Sequence, residues 1–351
     1  MSAWREMLAR FRKDAPSRPN TASAPIAAPV ESAIDQPVVA VVEEPAVAVA
    51  EAEPEAVEEA PAIAAEPDET RRFGDTTRSL ASAAPLLTVL QGERVLSAAA
   101  LRDIGRERQE NQDHCYAQIL SFPSDHSDLA LGLFVVADGM GGHHDGGYAS
   151  KLALTTVVQS VLAEFVSPLL NGERRAPQPV MQAAVQAANA AVYAAGQEVG
   201  SDMGTTCTAV LLDGQQLITA HVGDSRALLI GGGVKQLTTD HTAVGRLIAI
   251  GALTPEEAQD HPLRSHLYRS IGQTADVAVD VVTTTIHDES HLLLCSDGLW
   301  GLVGDAEIAD IVTEAPTAHV AARHLIARAN LLGGHDNISA VVVTLPAGSR
   351  G

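Results

Sequence analysis

From Val95 onward the apolar positions recur with two distinct periods, and each change of period marks an element. Short apolar runs bounded by glycines and acids predict strands at Ser97–Arg102, Cys115–Leu120, Leu131–Ala137, Cys207–Leu212, Gln216–Val222, Arg226–Ile230, Val277–Thr285, His291–Cys295 and Ile338–Thr344. Three- and four-residue spacing predicts helices over Ala149–Phe165, Val180–Val199, Ala306–Glu314 and His319–Leu332. Asp305 is the expected N-cap of the third, while the fourth follows Thr317 and is stopped by Gly333-Gly334. Roughly nine or ten strands with helices inserted in pairs do not alternate as a doubly wound parallel sheet does. The pattern points instead to an α+β fold of stacked antiparallel sheets with helices outside. No internal repeat is present.

The pattern is different upstream. Met1 to Lys13 places Trp4, Leu8 and Phe11 at helical spacing among Arg5, Arg10, Arg12 and Lys13, which predicts a short basic amphipathic helix over residues 1–13. Residues 14–92 are rich in Ala, Pro, Glu and Val without a useful period, the composition of a disordered, solvated acidic linker. The folded domain is expected over 93–347. Its 351-residue chain is 46% hydrophobic but only 3% aromatic, so the core must be aliphatic.

Charge narrows the partners. The formal net charge of −21 argues against nucleic acid, which needs a basic footprint. Much of it is local: Glu31 to Thr70 holds twelve acids and no Lys or Arg, −12 of the −21. Cys115, Cys207 and Cys295 are odd in number and set in apolar strands, which suits small buried hydrophobes in a reducing compartment rather than disulfides or a zinc site. No apolar run reaches the ~18 residues of a membrane span, and the N-terminus lacks a signal-peptide core, so a cytoplasmic location is expected.

The candidate chemistry begins at Phe134–His143, where an apolar strand delivers Asp138 into Gly139, Gly141 and Gly142. A rigid strand aims the carboxylate, and missing side chains let backbone oxygens and amides approach an ion or phosphate. Taken alone, the stretch reads equally well as an Asp-Gly turn. The pattern recurs at Leu292–Gly298, ending on Asp297, and Asp336 stands just before the strand Ile338–Thr344. Antiparallel neighbours would set such ends side by side at one sheet rim, where three carboxylates repel unless cations lie among them. Hard oxygen ligands point to magnesium or manganese.

Seven motifs occur in order: Asp103-x-Gly-x-x-Arg108-x-x-Asn111-x-Asp113, Asp138-Gly-Met-Gly-Gly-His143, Met203-Gly-Thr-Thr206, Val222-Gly-Asp224-Ser-Arg226, Leu237-Thr-x-Asp240-His241, Ser296-Asp297-Gly298 and His335-Asp336-Asn337. On these, residues Val95 to Leu345 resemble the bacterial form of the metal-dependent protein phosphatases of the PPM, or type 2C, class. The resemblance implies a four-layer α-β-β-α sandwich and a phosphoprotein phosphatase acting on serine and threonine phosphomonoesters. It implies two manganese or magnesium ions, with Asp138 bridging them, Gly139 giving its carbonyl, Asp297 and Asp336 completing the set, and Asp113 acting through water. A metal-bridging hydroxide would attack phosphorus directly while Arg108 grips the phosphate oxygens. Asp202, before the Met-Gly-Thr-Thr run, is the candidate ligand of a weaker third ion.

Departures from the family pattern are specific. Gln112 stands where many members carry glutamate, removing a charge from the second ion's water shell. Met140 stands where eukaryotic members carry a histidine acid, leaving leaving-group protonation to bound water, His143 or His241. Asp224 reads as a buried turn carboxylate paired with backbone or Arg226, Trp300 as core, and His143 as a structural hydrogen-bonding residue. His241, His261 and His266 read as surface or flap residues. The alternative function is a catalytically silent binding module of the same fold, but such a module would be free to lose Asp138, Gly139, Asp297, Asp336 and Arg108, and all are present.

A monomer acting on phosphorylated products of a serine/threonine kinase is expected. Residues 1–13 are either an unstructured tail or a segment that folds on an anionic membrane surface or an acidic partner groove, since a helix this short is marginal alone. Co-sedimentation with anionic vesicles at low salt tests the membrane version: the full chain should pellet and a chain lacking the first thirteen residues should not. Equal pelleting would exclude it.

Overall fold

The structure, a computed structural model, describes residues 89–91, 94–122, 129–141, 145–254, 257, 261–263 and 266–346. The expected 1–13 helix, nearly all of the linker and His143 lie outside them. Among the described residues the strands are β1 (Val89–Gln91), β2 (Arg94–Asp103), β3 (Asp113–Phe122), β4 (Leu129–Met140), β5 (Gly204–Thr205), β6 (Cys207–Asp213), β7 (Gln216–Val222), β8 (Arg226–Ile230), β9 (Val234–Gln236), β10 (Asp280–Thr285), β11 (His291–Cys295) and β12 (Ile338–Thr344). The α-helices are α1 (Asp145–Val161), α2 (Ser167–Leu170), α3 (Pro177–Val199), α4 (Ala243–Ala249), α5 (Asp297–Trp300), α6 (Asp305–Glu314) and α7 (Ala318–Leu331), with a π-helical turn at Leu162–Val166 joining α1 to α2.

Two antiparallel sheets form, in the orders β1-β2-β12-β11-β8-β9 and β10-β7-β6-β4-β3, with β5 added beside β4. The two-residue period of the strands explains why they stack. On β4, Leu131, Leu133, Val135 and Ala137 face the core under α1 and α3, while Phe134 and Val136 face the space between sheets. On β12, Val341 and Val343 point to that same space, whereas Ile338, Ala340 and Val342 pack beneath α6 and α7. Strands apolar on both faces make three cores and therefore four layers, as expected from the sequence.

The helix ends follow ordinary capping. Thr317 accepts a hydrogen bond from the Val320 amide, 3.2 Å, to open α7, and Gly333 and Gly334 end it with φ of 129° and 56°. Pro177 opens α3 and Gly200 closes it at φ 67°. The expected cap of α6 is corrected: Gly304 occupies the N-cap and Asp305 is the first helical residue, where its charge meets the helix dipole instead.

Other boundaries also shift. The helix expected from Ala149 starts at Asp145, because the glycines that hide its first turn from a periodicity count pack closely against β4. Its run from Asp145 to Leu170 covers 26 residues and is long and apolar enough to span a membrane, contrary to the sequence expectation. Ala149, Ala153, Val157 and Val161 are instead buried in the core with α3 and β4, which makes it a core helix. The strand expected over Val277–Thr285 begins only at Asp280, and Val89–Gln91, within the span assigned to the linker, form β1 against β2.

Candidate active site

Asp138 and Asp113 are brought together by register: they are directly paired residues of β4 and β3. Asp138 is held by its backbone. Its amide donates to Thr206 Oγ1 at 2.9 Å, and its carbonyl accepts from the Thr206 amide and Thr205 Oγ1, both at 2.8 Å. Thr206 Oγ1 in turn bonds Ser225 Oγ at 2.7 Å. β4 does not end at Asp138, as the sequence suggested, but continues through Gly139 and Met140, which pair with β5. A Cβ at Gly139 would collide with the carbonyl oxygen of Gly146 and the backbone of Gln112, so only glycine fits this close approach.

The second pair of acids comes from the other sheet. Asp297 follows β11 and opens α5, and Asp336 precedes β12, the antiparallel neighbour of β11. The acids therefore meet across the two sheets and not along one rim, correcting the expectation from strand ends alone. Two polar side chains stitch the sheets together there. Ser296 Oγ donates to Asp113 Oδ2 at 2.7 Å while accepting from the Ser339 amide at 3.0 Å. Asn337 Oδ1 accepts from the Gln112 amide at 2.7 Å, and its Nδ2 donates to the Ile104 and Glu110 carbonyls, each at 2.9 Å. Gly105, at φ 80°, lets the loop after β2 lie directly on the Asp336 carbonyl.

Burial and like charge dominate the electrostatics. Burial first, then Asp113, Asp297, Asp224 and Asp336, push the Asp138 carboxyl well above the ordinary range. Burial pushes Asp113 up to about 6 against the opposing hydrogen bond from Ser296. Its Oδ1 is buried without a hydrogen-bond partner. Asp224 is also raised well above the usual range by burial and by Asp297 and Asp240. That makes it a neighbour of the acidic cluster, and it acts on Asp138 in turn. The reading of Asp224 as a buried turn carboxylate paired with backbone or Arg226 holds in its burial and its backbone hydrogen bond, while Arg226 binds Asp240 directly at 2.7 Å and stacks 3.6 Å over Trp300. Trp300 is half-buried, packed against the core beneath α6 and α7, and donates from Nε1 to the Asp224 carbonyl at 3.0 Å.

Arg108 reaches this cluster, with Nη2 2.6 Å from Asp336 Oδ2, and that bond raises its pKa. As the side chains stand, no three His, Cys, Asp or Glu among the described residues converge on one point. The donor set nevertheless fits hard divalent cations. It is all oxygen, one Asp113 oxygen is buried and unpartnered, and the mutually raised carboxylates are relieved by positive charge. Cys207 and Cys295, pushed up to about 12 by burial, are inert thiols as expected.

The remaining candidates lie elsewhere. Asp202 is exposed beside the C-terminus of α3, in a groove with Ser201, Gly272 and Gln273, and is not among the acids that weigh most on Asp138. The Gln112 side chain lies against the Gly146 backbone at the start of α1. His241 is corrected most clearly: it is buried, not on the surface. Its amide donates to the Gly223 carbonyl at 2.7 Å, its Nδ1 accepts from the Gly223 amide at 3.0 Å, and its Nε2 faces Asp280 at 3.1 Å. It thereby clamps the turn that carries Asp224. His266 is exposed and His261 half-exposed.

Residues 104–332 match the family model described as protein phosphatase 2C. The chain is 33% identical over 261 residues to the protein phosphatase PhpP of Streptococcus pneumoniae, covering 71% of this chain and 98% of that one. It superposes on the serine/threonine phosphatase PstP/Ppp of Mycobacterium tuberculosis with a TM-score of 0.61 at 34% identity, covering 71% of this chain and 98% of that chain. It likewise superposes on the catalytic domain of the serine threonine protein phosphatase PstP in complex with two manganese ions, with a TM-score of 0.56 at 31% identity and 71% and 97% coverage. This chain belongs to the protein phosphatase 2C family, and the four-layer fold and the ordered motifs agree with that membership. It is a phosphoprotein phosphatase.

The raised Asp113 carboxyl makes a stability prediction with a definite sign. Unfolded, Asp113 ionises near ~3.9; folded, only near 6, so its ionisation disfavours the folded state above about pH 6 and has no effect below about pH 4. In chelator at pH 7.5, Asp113→Asn should therefore stabilise the protein against urea by roughly 1–3 kcal/mol, with the gain vanishing near pH 4. Equal stability of the two proteins at pH 7.5 would mean that this buried charge carries no such strain.

Proposed function

We propose that this enzyme hydrolyses phosphoserine and phosphothreonine esters in proteins with two manganese or magnesium ions held by Asp138, the Gly139 carbonyl, Asp297 and Asp336, with Asp113 acting through water. The observation that carries the reading is the set of acids from two sheets that raise the Asp138 carboxyl together, with Arg108 as the cation paired to one of them. When bound, the ions supply a nucleophile from water at neutral pH and neutralise charge developing on the phosphoryl group. Asp202 is proposed for a weaker third ion.

The chain's own residues do the positioning. Thr205 and Thr206 fix the Asp138 backbone from both sides, so the carboxylate cannot drift as charge changes around it. Ser296 keeps Asp113 Oδ2 occupied, and the unpartnered Oδ1 is the oxygen proposed to take a hydrogen bond from water. The Arg108 side chain is 54% exposed, free enough to exchange Asp336 for the oxygens of a phosphate, which its planar fork binds in pairs. Met140 cannot act as an acid, so protonation of the leaving serine or threonine oxygen falls to water, ahead of His143 and His241.

Monomeric action on substrates of a serine/threonine kinase, and docking through residues 1–13 at the inner membrane face or on a protein, complete the proposal. Hydrolysis of p-nitrophenyl phosphate and of a phosphothreonine peptide tests it. Activity should vanish in chelator and return with manganese better than with magnesium, following the usual affinity order. Asp138→Ala, shown folded by circular dichroism, should retain less than about a tenth of wild-type turnover, a loss above ~1.4 kcal/mol. Full turnover in that variant would overturn the assignment, and no turnover by wild type under any metal would favour the silent binding module.

A further inference from the structure

We propose that the groove between β2 and α7 docks an extended acidic segment of the phosphoprotein substrate, beside the phosphate site. The inference rests on the phosphatase reading above and adds the sequence character of the substrate. Ser97–Asp103 of β2 pair with β12, and among the described residues no strand pairs with this stretch on its other side. Along it runs a groove of about 540 Å³ whose apolar floor includes Leu101, Ile326 and Leu331, the last 73% exposed. An unpaired strand edge above an apolar floor is the arrangement that receives an extended peptide, main chain to main chain.

Charge selects which peptide. Arg106 and Arg323 line the groove with one acid, Asp103, whereas the Arg102 side chain turns to the opposing sheet and donates to the Asp113 carbonyl. Arg106 is fixed without being neutralised: its Nε donates to the Asn330 carbonyl at 2.9 Å, an uncharged acceptor. Asp103 is already occupied, accepting from the Gly105 amide at 2.9 Å and Asn330 Nδ2 at 3.0 Å. A locally basic groove on a chain of net charge −21 is complementary to acidic side chains, which arginine binds bidentately. The groove also adjoins the catalytic residues. Arg106 stands two residues before Arg108, and its amide bonds the Gly334 carbonyl at 2.7 Å, in the loop that carries Asp336. A peptide seated here holds its phosphoresidue beside Arg108.

The test uses the full chain and two fluorescein-labelled, unphosphorylated ten-residue peptides, one alternating Glu with Val and one with Gln in place of Glu. The acidic peptide should bind about tenfold tighter by fluorescence anisotropy at low salt. Arg323→Glu and Leu331→Glu, both at exposed positions, should each weaken it about fivefold or more while leaving p-nitrophenyl phosphate turnover within about twofold. Phosphothreonine peptides with the same flanks should differ in KM and not in kcat, and Arg323→Glu should erase the difference. Equal affinity for the two peptides, or indifference to both substitutions, overturns the groove. The two readings fail separately: selective binding without hydrolysis of any phosphoester upholds the groove and sinks the phosphatase, whereas hydrolysis without flank preference sinks the groove alone.

Discussion

Like charges forced together by strand register are the constraint on which this structure depends. Asp113 and Asp138 are paired across β3 and β4, and the ends of β11 and β12 bring Asp297 and Asp336 from the opposing sheet near enough to act on Asp138. Burial first, and neighbouring acids second, raise the carboxyls of Asp138, Asp113 and Asp224 above the ordinary range. The surrounding polar residues hold them in place. Thr206 and Thr205 tie down one sheet, Ser296 and Asn337 bridge to the other, and glycine at 139 and 105 removes the side chains that would hold the loops apart. A site that is strained without cations and braced against relaxation is preorganised to bind them.

The same scaffold explains why distant parts of the chain matter. The turn bearing Asp224 is clamped by buried His241, whose outer nitrogen meets Asp280 on the edge strand β10 and Arg269 beyond it. Ile271 bridges to Thr205, the residue whose hydroxyl holds the Asp138 carbonyl. Arg269 and Ile271, between α4 and β10, thus contact the residues that hold the Asp224 turn and the Asp138 backbone.

Much of this was legible in the sequence, for identifiable reasons. Apolar residues at period two on both faces of β4 and β12 dictate stacked sheets, and Asp-Gly pairs that follow apolar runs, at Asp138 and Asp297, announced where the chemistry lies. What escaped was set by long-range pairing. No local pattern says that Asp138 and Asp297 belong to different sheets, that His241 folds inward onto Gly223, or that Arg108 pairs with Asp336, 228 residues away. The start of α1 was hidden for the opposite reason: Gly146 and Gly147 weaken the helical signal because they serve the close contact with Gly139 and Gln112.

Counting the ions bound by the metal-free protein tests the central claim most directly. Titration calorimetry with manganese at pH 7.5 should give two ions per chain, and loss of binding in Asp138→Asn. No binding, or binding that is unchanged when Asp138 loses its charge, would contradict the account.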